Sequence, residues 1–128
     1  VMIIINWQNK WAYNKYWVMS KSQKKYDEIR LMAKNNEWSK TKDIEFERVI
    51  KSLENVEPTK KTLTNVYQHI WGYFKRICTD SEKEEYVKLI ASLEPENDQV
   101  GLFLRDLTYK YQIKYLMQSR IVKELGKN

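Results

Sequence analysis

Lys15 is the residue in this 128-residue chain whose position least suits its type. At about 100° per residue, Ile4, Trp7, Trp11, Val18 and Met19 share one face of a helix, and Lys15 falls within it. Desolvation lowers a lysine pKa unless a carboxylate, a carbonyl or a bound anion compensates, so Lys15 is a candidate ligand-binding or proton-transfer group. A lysine stem lying on apolar surface with its ammonium at the water's edge gives the same pattern.

A second constellation lies further along. Asn65, His69, Gly72 and Arg76 recur at helical spacing, with Thr62 and Tyr73 beside them, forming a polar stripe opposite an apolar one made by Leu63, Val66, Tyr67, Ile70, Phe74 and Ile77. The stripe could line a cleft, with close approach at Gly72. His69 would supply an acid, a base or a donor near neutral pH, and Arg76 with Lys15 would hold a carboxylate, a phosphate or an electron-rich carbonyl. The alternative is structural, with Gly72 admitting a neighbouring helix and His69 hydrogen-bonded in place.

Familiar catalytic patterns are missing. There is no glycine-rich phosphate loop, no Gly-x-Ser-x-Gly elbow, no His-Glu-x-x-His and no spaced Asp/Glu pair, so catalytic residues cannot be assigned. With one histidine, His69, and one cysteine, Cys78, neither a Cys/His zinc site nor an internal disulfide can form, and no metal or cofactor is expected. The single cysteine fits a reducing cytoplasm. The apolar run Val1 to Ile5 is too short for a membrane span or a signal sequence.

The net charge of +6 is unevenly spread. Residues 1–26 carry Lys10, Lys15, Lys21, Lys24 and Lys25 with no acid, interleaved with Trp7, Trp11, Tyr13, Tyr16, Trp17 and Tyr26. Basic residues among aromatics suit phosphate contact plus base stacking, although solvent-facing lysines and core aromatics yield the same composition. Residues 80–98 are instead strongly acidic.

These groups need helices to position them. Three glycines and two prolines are too few to punctuate an all-β domain, and 42% hydrophobic with 31% charged residues describes a globular chain. The reading is all-α: one compact bundle of about six or seven helices, occupying residues 1–128 as a single domain. Helices are expected over Asn6–Met19, Ser22–Lys34, Thr41–Glu54 and Lys61–Cys78, with turn chemistry at Asn35 and Asn36. A capping box at Ser81 and Glu84 starts a fifth helix, with a stripe of Tyr86, Leu89, Ile90 and Leu93. Val100, Phe103, Leu104, Leu107 and Tyr111 mark a sixth, and Tyr115–Leu125 a seventh.

Two stretches, KYWVMSKSQKKY from Lys15 to Tyr26 and TNVYQHIWGYFK from Thr64 to Lys75, resemble the YbgA-like family, a bacterial and archaeal domain of unknown function. The likeness runs from about Trp11 to Leu116. Matching positions are Lys15, Ser22, Tyr26, Asn65, His69, Gly72, Tyr73 and Phe74; Trp11 and Lys21 stand where many relatives resemble a histidine pattern, and the match fades beyond Tyr115-Leu116. The family often follows a cysteine-rich domain similar to iron–sulfur desulfidases of thiolated pyrimidines. The resemblance therefore implies an accessory role near nucleobases or RNA, with a cysteine-rich desulfidase-like protein as a separate partner.

The sequence thus favours a helical binding module for a nucleobase, nucleotide, thiolated pyrimidine or RNA over an enzyme. Its expected site is a basic, aromatic cleft between the first and fourth helices, lined by Lys15, Ser22, Tyr26, Asn65, His69, Tyr73 and Arg76. Two other classes stay open: a protein-interaction or homo-oligomerisation module using exposed aromatics such as Trp38 or Tyr109, and an enzyme using Lys15 and His69.

Overall fold

The computed structural model describes residues 7–126. Its elements are α1 (Trp7–Lys21), α2 (Gln23–Met32), a 3₁₀ turn (Lys34–Asn36), α3 (Lys40–Leu53), α4 (Lys60–Trp71), α5 (Asp80–Ala91), α6 (Gln99–Lys110), α7 (Lys114–Met117) and α8 (Arg120–Glu124). The described residues are all-α, and their buried apolar side chains form one continuous core cluster. None of the described helices is long and apolar enough to cross a membrane.

The central element is α1, which packs against α2, α3, α4 and α8. Its second half, Tyr16 to Ser20, is buried at five successive positions, so neighbours surround it rather than covering one face. The single apolar face expected for this helix describes only its first half, and Ile4 lies outside the described residues. Ser22 then breaks α1 from α2: its extended backbone lets the hydroxyl accept the Lys25 backbone N–H at 3.1 Å, satisfying one of the free donors at a helix start. Asn35 and Asn36, both at positive φ, turn the chain toward α3. There Phe46, Val49, Ile50 and Leu53 are all buried, as their spacing requires.

Helix α4 ends well before Cys78. After Trp71 the backbone tightens into three-residue turns, with Tyr73 N–H bonding Ile70 O at 3.0 Å and Phe74 N–H bonding Trp71 O at 2.8 Å. The tightening changes which later side chains reach the core. Phe74 stays fully buried, whereas Ile77, expected in the core, is 49% exposed. Gly72 is exposed and in the ordinary helical region, and no other helix packs on it.

Helix α5 starts at a capping box two residues earlier than expected. Thr79 Oγ1 accepts the Glu82 N–H at 3.1 Å and Glu82 Oε1 accepts the Thr79 N–H at 2.9 Å. Glu82 also accepts from Lys110 and Tyr111, fastening α5 to the end of α6, a partnership Glu84 lacks. The seventh helix is split: Ser119 Oγ donates to Leu116 O at 2.7 Å, competing with the backbone ladder and separating α7 from α8. Gly101 on α6 is required by space, since a Cβ there would stand 2.6 Å from Leu125 Cδ2 and 2.7 Å from Tyr67 Oη.

Candidate functional site

Helices α1 and α4 pack directly on one another, and the residues expected to line a cleft between them are not gathered in one hollow. An open groove that holds Lys15 lies between α1 and α2. It encloses about 740 Å³. From α1 come Trp7, Gln8, Trp11, Ala12 and Lys15; from α2 and the following turn come Asp27, Arg30, Leu31 and Lys34; Tyr115 of α7 also lines it. Successive helical turns supply both walls, since residues three and four apart share a face.

Three cations and one carboxylate line this groove. Among the described residues the side chains of Lys15, Arg30 and Lys34 join no ion pair, while Asp27 accepts a hydrogen bond from Gln23 Nε2 at 3.0 Å. Lys15 is half-buried. The aromatic part is graded. Trp7 is buried with its ring stacked on Trp38, centroids 4.6 Å apart, so it forms wall, whereas Trp11 and Tyr115 are half-buried and present ring surface. Trp38 is thereby also engaged, donating Nε1–H to Asp43 at 3.2 Å, and is not the free docking aromatic expected; Tyr109 is exposed as expected.

Behind Tyr115 lies a cluster of phenols. Tyr16 and Tyr73 hydroxyls are 3.2 Å apart, the Tyr73 and Tyr115 rings stack with centroids 6.1 Å apart, and Tyr115 donates to Ala12 O at 3.1 Å. Burial first, then the neighbouring Tyr73 and Tyr26, pushes the Tyr115 phenol up to about 12, and burial with the Tyr73 hydrogen bond raises Tyr16 further. The Tyr115 and Tyr16 hydroxyls stay protonated at any physiological pH. They can donate hydrogen bonds but supply no base.

The remaining candidates divide. Ser22 is occupied as the α2 cap. Tyr26 is buried against Trp11, ring centroids 5.6 Å apart, and burial raises its pKa with Arg30 partly opposing. Asn65 and His69 line a separate depression with Gln23, Lys61 and Gln68, and Asn65 Nδ2 donates to Gln23 Oε1. His69 and Arg76 are exposed. Tyr73, 37% exposed, is tied through Tyr115 to the groove. Lys15 and His69 line different cavities, and the pairing an enzyme would need is not assembled. Among the described residues no group of three His, Cys, Asp or Glu side chains is placed to hold a metal ion.

Sequence reasoning missed Arg30, Lys34 and Tyr115. The first two were readable, since Asp27, Arg30, Leu31 and Lys34 repeat at three- and four-residue spacing along one face of the helix expected over Ser22–Lys34. Tyr115 was not, because its hydrogen bond to Ala12 joins residues 103 apart in sequence.

Comparison with known families places this geometry. A family model described as "Protein of unknown function (DUF1722)" matches residues 15–124. The chain belongs to that family. The match spans α2 to α8 whole and includes Lys15, the cation that α1 contributes to the groove. No curated protein and no solved structure is detectably similar to the chain.

Proposed function

We propose that this DUF1722 domain is a binding module whose α1–α2 groove takes a nucleotide or single-stranded nucleic acid. The observation carrying this reading is the coexistence, in one open groove, of three cations without acidic partners and two half-buried aromatic rings. Phosphates favour the cations, above all arginine, whose planar fork grips two oxygens at once. A base favours the rings, because every base has a π-face and stacking tolerates sequence. Asp27, Gln8 and Asn36 on the rim offer acceptors and donors to a base edge. The resemblance of the Lys15–Tyr26 and Thr64–Lys75 stretches to YbgA-like proteins supports the nucleobase side of the reading, and makes a thiolated pyrimidine a natural probe.

Tryptophan fluorescence tests this directly, because Trp7 and Trp11 line the groove. The purified domain is titrated with tRNA, single-stranded oligonucleotides, and plain and thiolated pyrimidine nucleotides at low and physiological salt. Saturable quenching that weakens with salt is expected, reflecting release of counterions from neutralised phosphates. Absence of quenching by all of these ligands at low salt sinks the reading.

A further inference from the structure

The groove does not stop at Tyr115. A second depression of about 300 Å³, lined by Asn9, Ala12, Tyr13, Tyr115, Gln118 and Ser119, shares Ala12 and Tyr115 with it. Those two residues form a low saddle between the hollows. Ala12 adds only a methyl group there, and the hydrogen bond from Tyr115 Oη to Ala12 O at 3.1 Å lays the tyrosine side chain along α1. On the far side Tyr13 is 39% exposed, and the Lys123 ammonium stands 5.6 Å from its ring centroid. Gln118 and Asn9 are exposed beside it and carry amide donors and acceptors.

The second hollow continues the aromatic and amide lining of the first: Tyr13 and Tyr115 offer exposed or half-exposed rings, Asn9 and Gln118 offer side-chain amides, and Lys123, outside the lining itself, stands over the Tyr13 ring with no ion-pair partner among the described residues. Rings with cations beside them are what grooves that follow a nucleic-acid strand present. A mononucleotide would fill one hollow and leave the other unused. We infer that the ligand is a single strand of nucleic acid several nucleotides long, crossing the Ala12–Tyr115 saddle from the Arg30 and Lys34 end to the Tyr13 and Lys123 end. The inference rests on the binding reading above and deepens it. The stretch corresponds to a short site, about four nucleotides, at the low end for single-strand binders.

The test is a length series read by tryptophan quenching: a pyrimidine mononucleotide, a tetranucleotide and an octanucleotide, against the native chain and two variants at the saddle and beyond. Tyr13→Ala removes the far ring at an exposed position. Ala12→Leu raises the saddle while keeping a good helix former. The tetranucleotide should bind about tenfold or more tightly than the mononucleotide, given the usual worth of one stacked base, and the octanucleotide little better. Each variant should lose most of that gain with an unchanged helical circular-dichroism spectrum, and Tyr13→Ala, which lies outside the α1–α2 groove, should keep the mononucleotide affinity. Equal affinity for mononucleotide and tetranucleotide overturns the track while leaving the groove as a nucleotide site. A length dependence that both variants retain also overturns it, since the strand then takes another route. Failure of every probe to bind overturns the groove reading itself.

Discussion

Two lysines on the same helix, Lys10 and Lys15, meet opposite surroundings. Lys10 faces α3, where Asp43 lies 3.0 Å and Glu47 2.5 Å from its ammonium and the Phe46 ring centroid 5.5 Å away. Burial opposes ionisation of Asp43, yet hydrogen bonds from Lys10 and Trp38 outweigh it and hold the carboxyl below its ordinary range. Lys15 faces α2 across the groove, half-buried and, although Asp27 lines the same groove, in no ion pair among the described residues, as is also true of Arg30 and Lys34 opposite. One side of α1 has its polar groups matched by the chain itself. The other leaves them for something else, and that contrast separates scaffold from site more sharply than residue type does.

Substitutions can break or sharpen this contrast. The largest effect is expected on the matched side: Phe46→Ala empties the space beneath Trp11, Trp38 and Lys10 and should destabilise the fold by about 3–4 kcal/mol in chemical denaturation. Asp43→Ala should cost about 1–3 kcal/mol, because it strands the Trp38 N–H and removes the bridge to Lys10, and it should leave ligand binding intact. On the open side the sign reverses. Lys15→Met should raise the melting temperature, by about 0.5–1 kcal/mol of stability, because a long apolar side chain suits the half-buried position better than an unpaired ammonium. The same variant should weaken nucleotide binding. A fall in melting temperature would mean that Lys15 belongs to the scaffold.

A second matched region gives a pH signature. Hydrogen bonds from Lys110, then Tyr111, then the Thr79 backbone hold Glu82 at about 2, against 4.5 for a free glutamate. A depressed carboxyl stabilises the fold above its unfolded pKa and loses that contribution as protons bind. Stability should therefore decline between about pH 4.5 and 2, and Glu82→Gln should flatten that part of the profile in acid titrations followed by circular dichroism. The smallest effect belongs to Tyr86. Its hydroxyl is buried without a partner among the described residues while its ring stacks on Trp71 with centroids 4.2 Å apart, so Tyr86→Phe should be neutral or slightly stabilising.

Local pattern carried much of this architecture. The spacing of Phe46, Val49, Ile50 and Leu53 identifies the buried face of α3, and the Asn35-Asn36 pair identifies a turn with both residues at positive φ. The end of α4 was not legible, because Gly72 keeps a helical backbone and the tightening beyond it depends on where Phe74 must be buried. The α5 start was ambiguous, since Thr79 with Glu82 and Ser81 with Glu84 both fit a capping box; only the reach of Lys110 and Tyr111 to Glu82 distinguishes them. For the site, the half-buried placement of Lys15 beside apolar residues of α1 was legible. Its partners across the groove were not, because helical periodicity gives the face of a helix but not which helix stands opposite. Ser22 and Tyr26 show the converse, positions of the family resemblance that this fold uses for capping and packing.

The salt dependence of single-strand binding tests the central claim most directly. The native chain is compared with a variant carrying Lys15→Gln, Arg30→Gln and Lys34→Gln, using an octanucleotide across a range of salt concentrations. Three phosphate contacts in the groove predict that the slope of log affinity against log salt is steeper by about 2 in the native chain than in the variant. An unchanged slope in a folded variant would place the phosphates elsewhere and contradict the assignment of the α1–α2 groove.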